Sequence, residues 1–162
     1  MNEHGYVRKI HKKLKATKRL KRVWKINDNF QGGVPDAFYL GSDELWIEYK
    51  YLKQLPKRKT TLVVPDTSDL QVLWLKDLQE SGKNAWCVVG HPGGAWIIED
   101  LSLLAGLPCE QVIEESVSDA ALIQKILYIC TRSGGIDNVE SHHAQKPDQQ
   151  SNTGKERDCV PA

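Results

Sequence analysis

A mixed α/β layer, with helices packed on a sheet, is what this sequence predicts, and three observations predict it. The run Leu45 to Leu52 is apolar on both of its alternating faces, as in a central, buried strand. The run Ser68 to Gly82 carries an amphipathic helical pattern between a capping serine and a terminating glycine. Read along the chain, the elements run helix, three strands, helix, one or two strands, then helical support. At 162 residues the chain is one domain by length and buries a real core without staples.

Residues 3–16 form the first helix, with Val7, Ile10 and Leu14 as a narrow core-facing stripe on an otherwise basic surface. Glu3 sits near its start, where the helix dipole favours an acid. Arg22 to Asn27 alternates weakly and reads as the first strand, and Asn27-Asp28-Asn29 is a polar turn. Gly32-Gly33 then suits a tight turn, and Pro35 keeps Val34 extended. The second strand is Ala37 to Leu40, and Gly41-Ser42-Asp43-Glu44 is a hairpin turn into the third.

The segment from Lys53 to Thr67 holds two prolines and reads as a long loop beside Lys50, placed to close over a ligand. In the helix that follows, Leu70, Leu73, Trp74 and Leu78 make the expected apolar face, and Trp74 is expected in the core. Asn84 to His91 and Ala95 to Glu99 are two more strands, joined by a His91-Pro92-Gly93-Gly94 turn in which the histidine is expected to be solvated. Short helical segments follow at Pro108–Glu115 and Ser118–Cys130. From Thr131 to Ala162 the apolar pattern is lost, and a disordered polar tail is expected beyond a domain of residues 1–130.

Residues 30–52 carry the chemistry. Glu48 and Lys50 are two apart, so they share one face of the third strand, flanked there by Trp46 and Leu52. Buried charges are costly unless paired, hydrogen-bonded or bound to metal. Hairpin pairing of the second and third strands brings Asp36 to the same spot. Two carboxylates beside a lysine can hold a divalent cation through oxygen, as Mg²⁺ prefers, or can form an ion-pair network without catalysis.

Gly-Gly-Val-Pro-Asp, a hairpin, Trp-Ile-Glu-Tyr-Lys, then a helix beginning Ser-Asp-Leu-Gln: this string resembles the PD-(D/E)xK nucleases, and within them the VRR-NUC-like branch of bacterial and phage enzymes, over roughly residues 3 to 100. The resemblance implies a restriction-endonuclease-like αβββαβ core, a mixed sheet flanked by helices. It implies a Mg²⁺- or Mn²⁺-dependent endonuclease that hydrolyses DNA phosphodiester bonds, with a catalytically inactive nucleic-acid-binding module as the alternative. Asp36, Glu48 and the main-chain carbonyl of Tyr49 would hold the metal, and Lys50 would orient or activate the attacking water. Glu3 and Gln71 would assist; for Gln71 the competing role is the capping box with Ser68, and one side chain is not expected to do both jobs fully.

Charge distribution points the same way. From Met1 to Asn27 there are ten basic residues, including Lys9, Lys12 and Lys13, and Glu3 is the only acid; Lys53, Lys57, Arg58 and Lys59 make a second basic group. Clustered positive charge attracts a phosphate backbone. Cutting a branched junction would call for a homodimer, since two symmetric cuts need two sites. The four cysteines form no metal-ligand pattern, and no signal peptide or long apolar run is seen. The expectation is free thiols and no membrane association, in the cytoplasm of a bacterial cell or phage-infected host.

Overall fold

The computed structural model describes residues 1–132; the expected tail lies, from residue 133 onward, outside the described residues. Helix α1 (Glu3–Ala16) starts where Asn2 Oδ1 accepts the Gly5 N–H at 2.8 Å, and Tyr6 and His11 widen its buried stripe beyond Val7, Ile10 and Leu14. Strands β1 (Arg22–Lys25), β2 (Ala37–Leu40) and β3 (Glu44–Tyr51) form an antiparallel meander in which Ala37 faces Ile47. Helix α2 (Asp69–Glu80) then carries the chain over to β5 (Asn84–His91), which pairs with β3 in parallel. Strand β6 (Gly94–Ile98) returns antiparallel to β5. The five-stranded mixed sheet thus runs β1-β2-β3-β5-β6, flanked by four helices.

Two cores sandwich the sheet. On one face α1 and α4 (Asp119–Thr131, capped by Ser118) bury Tyr39, Leu45, Ile47, Tyr49 and Val88. On the other, Leu75 of α2 and Val112 of α3 (Cys109–Glu115) pack with Cys87, Val89, Trp96 and Ile98. Strand β3 is buried from both sides, as its composition predicts.

Three expectations need correction. The segment 53–67 is tied down: it contains β4 (Leu62–Val63), which pairs with β7 (Leu107–Pro108), and the N–H groups of Cys109 and Glu110 donate to the carbonyls of Thr61 and Lys59. Backbone groups satisfied in this way do not leave a loop free to close. Leu70 and Leu73 are 54% and 52% exposed, because α2 turns Leu75 rather than those two into the core; Trp74 is only half-buried. His91 is buried, with Nε2 2.8 Å from the Ser116 hydroxyl, because α3 and the chain after it cover the turn.

Candidate active site

Gly33 has φ +85°, a conformation that L side chains rarely adopt, and a Cβ there would come 2.6 Å from Cβ of Leu70. The Gly-Gly turn therefore does two things: it lets the chain reverse ahead of Asp36, and it lets the first turn of α2 approach. That approach is what delivers Gln71 to the sheet.

The parts converge there. Glu48 is 1% exposed. Its Oε1 accepts from Lys50 Nζ at 2.9 Å and from Gln71 Nε2 at 2.5 Å. The other oxygen, Oε2, is buried with no hydrogen-bond partner. Asp36 Oδ2 accepts the backbone N–H of Tyr49 at 2.9 Å, which draws that carboxylate against the edge of β3 next to Glu48. In an extended strand a residue's N–H and C=O point to the same edge, so the Tyr49 carbonyl also faces the Asp36 side.

Gln71 does both of the jobs that seemed exclusive. Its Oε1 accepts the Ser68 N–H at 2.9 Å, completing the capping box, and also accepts from Lys50 Nζ at 3.3 Å, while its Nε2 serves Glu48. An amide has two ends, and the helix start lies close enough to the sheet for both to be used.

The electrostatics follow from burial. Desolvation, reinforced by the nearby Asp36 charge, pushes the Glu48 carboxyl up to about 7. Asp36 is raised as well, chiefly by burial, against the N–H of Tyr49 and the charge of Lys50, which pull it down. Glu3 is raised by burial and by Asp36, which brings the first-helix glutamate into the same field as Asp36 and Lys50. Burial lowers the Lys50 ammonium, but Glu48, Glu3 and Asp36 outweigh it and the net shift is upward. Three carboxylates thus act on the charge of one lysine, and Glu48 is the one paired with it.

Among the described residues no three His, Cys, Asp or Glu side chains converge tightly enough to cage an ion alone. Asp36, Glu48 and the Tyr49 carbonyl are the oxygens that would serve as ligands of a divalent cation: Glu48 Oε2 is buried without a partner, and Mg²⁺ normally keeps several waters and so needs few protein ligands.

The basic residues divide. Lys12, with His4, Arg8, His11, Lys15 and Lys25, lines a cavity of about 690 Å³ beside α1, and Lys13 lies on the helix's neighbouring groove. Lys9 lines that same groove and also forms an ion pair with Asp119 at 2.5 Å, tying α1 to α4. Lys53, Lys57 and Arg58 are exposed on the anchored segment, and Lys59 lies 3.4 Å from Glu110. His4 and Lys25 were not picked out from the sequence as site residues. Lys25 Nζ donates to His4 Nδ1 at 2.6 Å, and both act on the charge of Glu3 and Asp36. Lys25 pairs with Ala37, the residue after Asp36, a register that only the folded sheet shows. The two histidines on α1 are engaged separately, His4 with Lys25 and His11 with Tyr39 at 2.9 Å. Cys87, Cys109 and Cys130 are free thiols, buried in the cores. No helix among the described residues is long and apolar enough to cross a membrane.

No protein-family model matches the chain, and no curated protein matches it.

Proposed function

We propose that the protein is a metal-dependent nuclease that hydrolyses DNA phosphodiester bonds, an endonuclease of phage or bacterial DNA processing. The observation that carries this reading is the buried Glu48 carboxylate, with Oε1 held by Lys50 and Gln71 and Oε2 left without a partner next to Asp36. Most buried side-chain oxygens have a hydrogen-bond partner, so a buried carboxylate oxygen without one in the protein supports a ligand at this position.

Asp36, Glu48 and the Tyr49 carbonyl would hold Mg²⁺ or Mn²⁺, which when bound would supply Lewis-acid polarisation of the phosphate and a more acidic water. The chain's own groups do the rest. Lys50, paired with Glu48 and raised in pKa, stays cationic; it orients the attacking water and offsets charge that develops on the phosphate. Gln71 fixes the Glu48 rotamer and the Lys50 head together. Glu3 adds negative charge on the α1 side of the site. The cavity lined by Arg8, Lys12, Lys15 and Lys25, none of which forms an ion pair among the described residues, gives the neighbouring phosphates a path.

A nucleic-acid-binding module without activity is the second reading. In its favour, no three ligating side chains converge among the described residues. One experiment separates the two: cleavage of duplex, single-stranded, flapped and four-way-junction DNA with Mg²⁺ or Mn²⁺, alongside Lys50→Ala and Glu48→Gln. Under the nuclease reading the wild type cuts at least one substrate and both variants lose about 100-fold or more. If the wild type binds DNA yet cuts nothing with either metal, the binding module stands instead. Thermal melts add a readout besides activity: Mg²⁺ raises the Tm of the wild type and leaves that of Glu48→Gln unmoved, since a ligand stabilises only the state that binds it.

A further inference from the structure

On the α2 side of the sheet, α2 packs over β5 and touches β3 through Gln71, and the core on that side holds no residue of β1 or β2, whereas on the opposite side α1 reaches β1. Three aromatic residues stand in one row from β3, where Trp46 packs against the core, out to the edge strand β1. Trp24 is directly opposite Phe38, and Phe38 directly opposite Trp46. The rings touch edge to face, with centroids 6.4 Å apart and planes at 82° for Trp24–Phe38, and 4.8 Å and 56° for Phe38–Trp46. Trp46 is oriented by its indole N–H, which donates to Glu44 Oε2 at 3.1 Å. Trp24, on the outermost strand, is 56% exposed.

The row lies one step from the carboxylates. Trp46 precedes Glu48 by two residues, and Phe38 follows Asp36 by two, a distance of about 6.6 Å along each strand. A phosphate at Glu48 and Asp36 would therefore have its adjoining base within reach of these rings.

We propose that Trp24, held in place by Phe38 and Trp46 in line behind it, is a stacking face for unpaired nucleobases of the strand being cut. This rests on the nuclease reading above and narrows its substrate class to DNA with single-stranded character at the cut, because a base already paired and stacked in a duplex cannot lie on the rings. Charge selects nucleic acid over a second copy of the chain as the occupant. Arg22 lies two residues before Trp24 on the same face and forms no ion pair among the described residues, and residues 1–27 hold ten basic side chains against one acid. A second copy would bring these like charges together, whereas a phosphate backbone neutralises them.

The test is a fluorescence titration of the full chain in EDTA, so that nothing is cut, with a single-stranded oligothymidylate and with a duplex of equal length. The single strand should quench tryptophan emission. Trp24→Ala should lose about fivefold or more in single-strand affinity together with part of the quench, and leave duplex affinity unchanged. Trp24→Phe, which keeps a ring, should restore affinity to within about twofold and so exclude misfolding as the cause. Unchanged single-strand binding by Trp24→Ala, or an equal loss for duplex, overturns the stacking face and leaves the nuclease reading intact. A wild-type dimer in sedimentation that Trp24→Ala converts to monomer also overturns it, by making the face an interface between copies. Failure of the wild type to bind either nucleic acid overturns both readings.

Discussion

Gln71 donates to Glu48 from one end of its amide and caps its own helix with the other, so the start of α2 and the centre of β3 are locked to each other through one side chain. The geometry of the carboxylate thus depends on where a helix begins, which is itself decided by Ser68.

Separating those two jobs gives the first prediction. Ser68→Ala removes the cap alone and should cost about 1 kcal/mol in urea unfolding, leaving DNA cleavage within about threefold of wild type. Gln71→Ala removes the cap and the Glu48 contact, so it should cost about 1–2 kcal/mol and lower cleavage at least about tenfold. Equal cleavage by the two variants would mean that Gln71 acts only through the helix cap.

The Gly-Gly turn makes a second prediction. Gly33→Ala forces a strained φ and meets Leu70, so it should destabilise by about 1–3 kcal/mol and impair cleavage by pushing α2 away from Glu48. Gly82→Ala is the control: its φ is +76°, yet nothing lies within 4 Å of the added carbon. It should cost about 1 kcal/mol and leave cleavage unchanged. Similar activity losses from both would argue that backbone strain, not displacement of α2, matters.

His11 supplies the pH dependence. Burial holds its imidazole down at about 4, against an ordinary value of 6.5, with Lys15 and Lys25 adding to the effect. Between those values the unfolded chain binds a proton that the folded chain refuses, so this residue's contribution to stability is complete above pH 6.5 and falls as the pH drops toward 4. Glu48 and Asp36, raised in the fold, act in the opposite sense, so the wild-type slope alone is mixed. The difference between wild type and His11→Gln isolates the histidine. Urea midpoints at pH 5 and 7 should show the variant losing less stability on acidification than the wild type; an identical loss would rule out a buried neutral His11.

Lys9 and Lys12 lie on one helix and should behave oppositely. Lys9→Ala breaks a partly exposed ion pair with Asp119 and should cost about 0.2–1 kcal/mol of stability with little effect on DNA affinity. Lys12→Ala should leave stability alone and reduce the slope of log affinity against log salt by about 0.7–0.9, one phosphate contact. A salt slope untouched by Lys12→Ala would move the DNA path away from α1.

Local pattern made much of this protein legible from its sequence. Alternation identified β3 as a strand buried on both faces and put Glu48 and Lys50 on one side of it; the hairpin turn at Gly41–Glu44 put Asp36 beside them; the Ser68 cap marked the start of α2. These are properties of a few neighbouring residues, set by the periods of strand and helix and by turn chemistry. Tertiary structure decided what depends on distant parts of the chain meeting. It turned Leu70 and Leu73 to solvent, because the face that α2 buries depends on the strand it packs on. It covered His91 with the segment around Ser116 and pinned residues 59–61 to the start of α3, contacts about 25 and 50 residues away in sequence. It paired Lys9 with Asp119 and left Trp24 exposed at the sheet edge. The unpartnered Glu48 Oε2 is of this second kind: the sequence supplies the carboxylate, but only the packing around β3 buries it and leaves that oxygen without a partner in the protein.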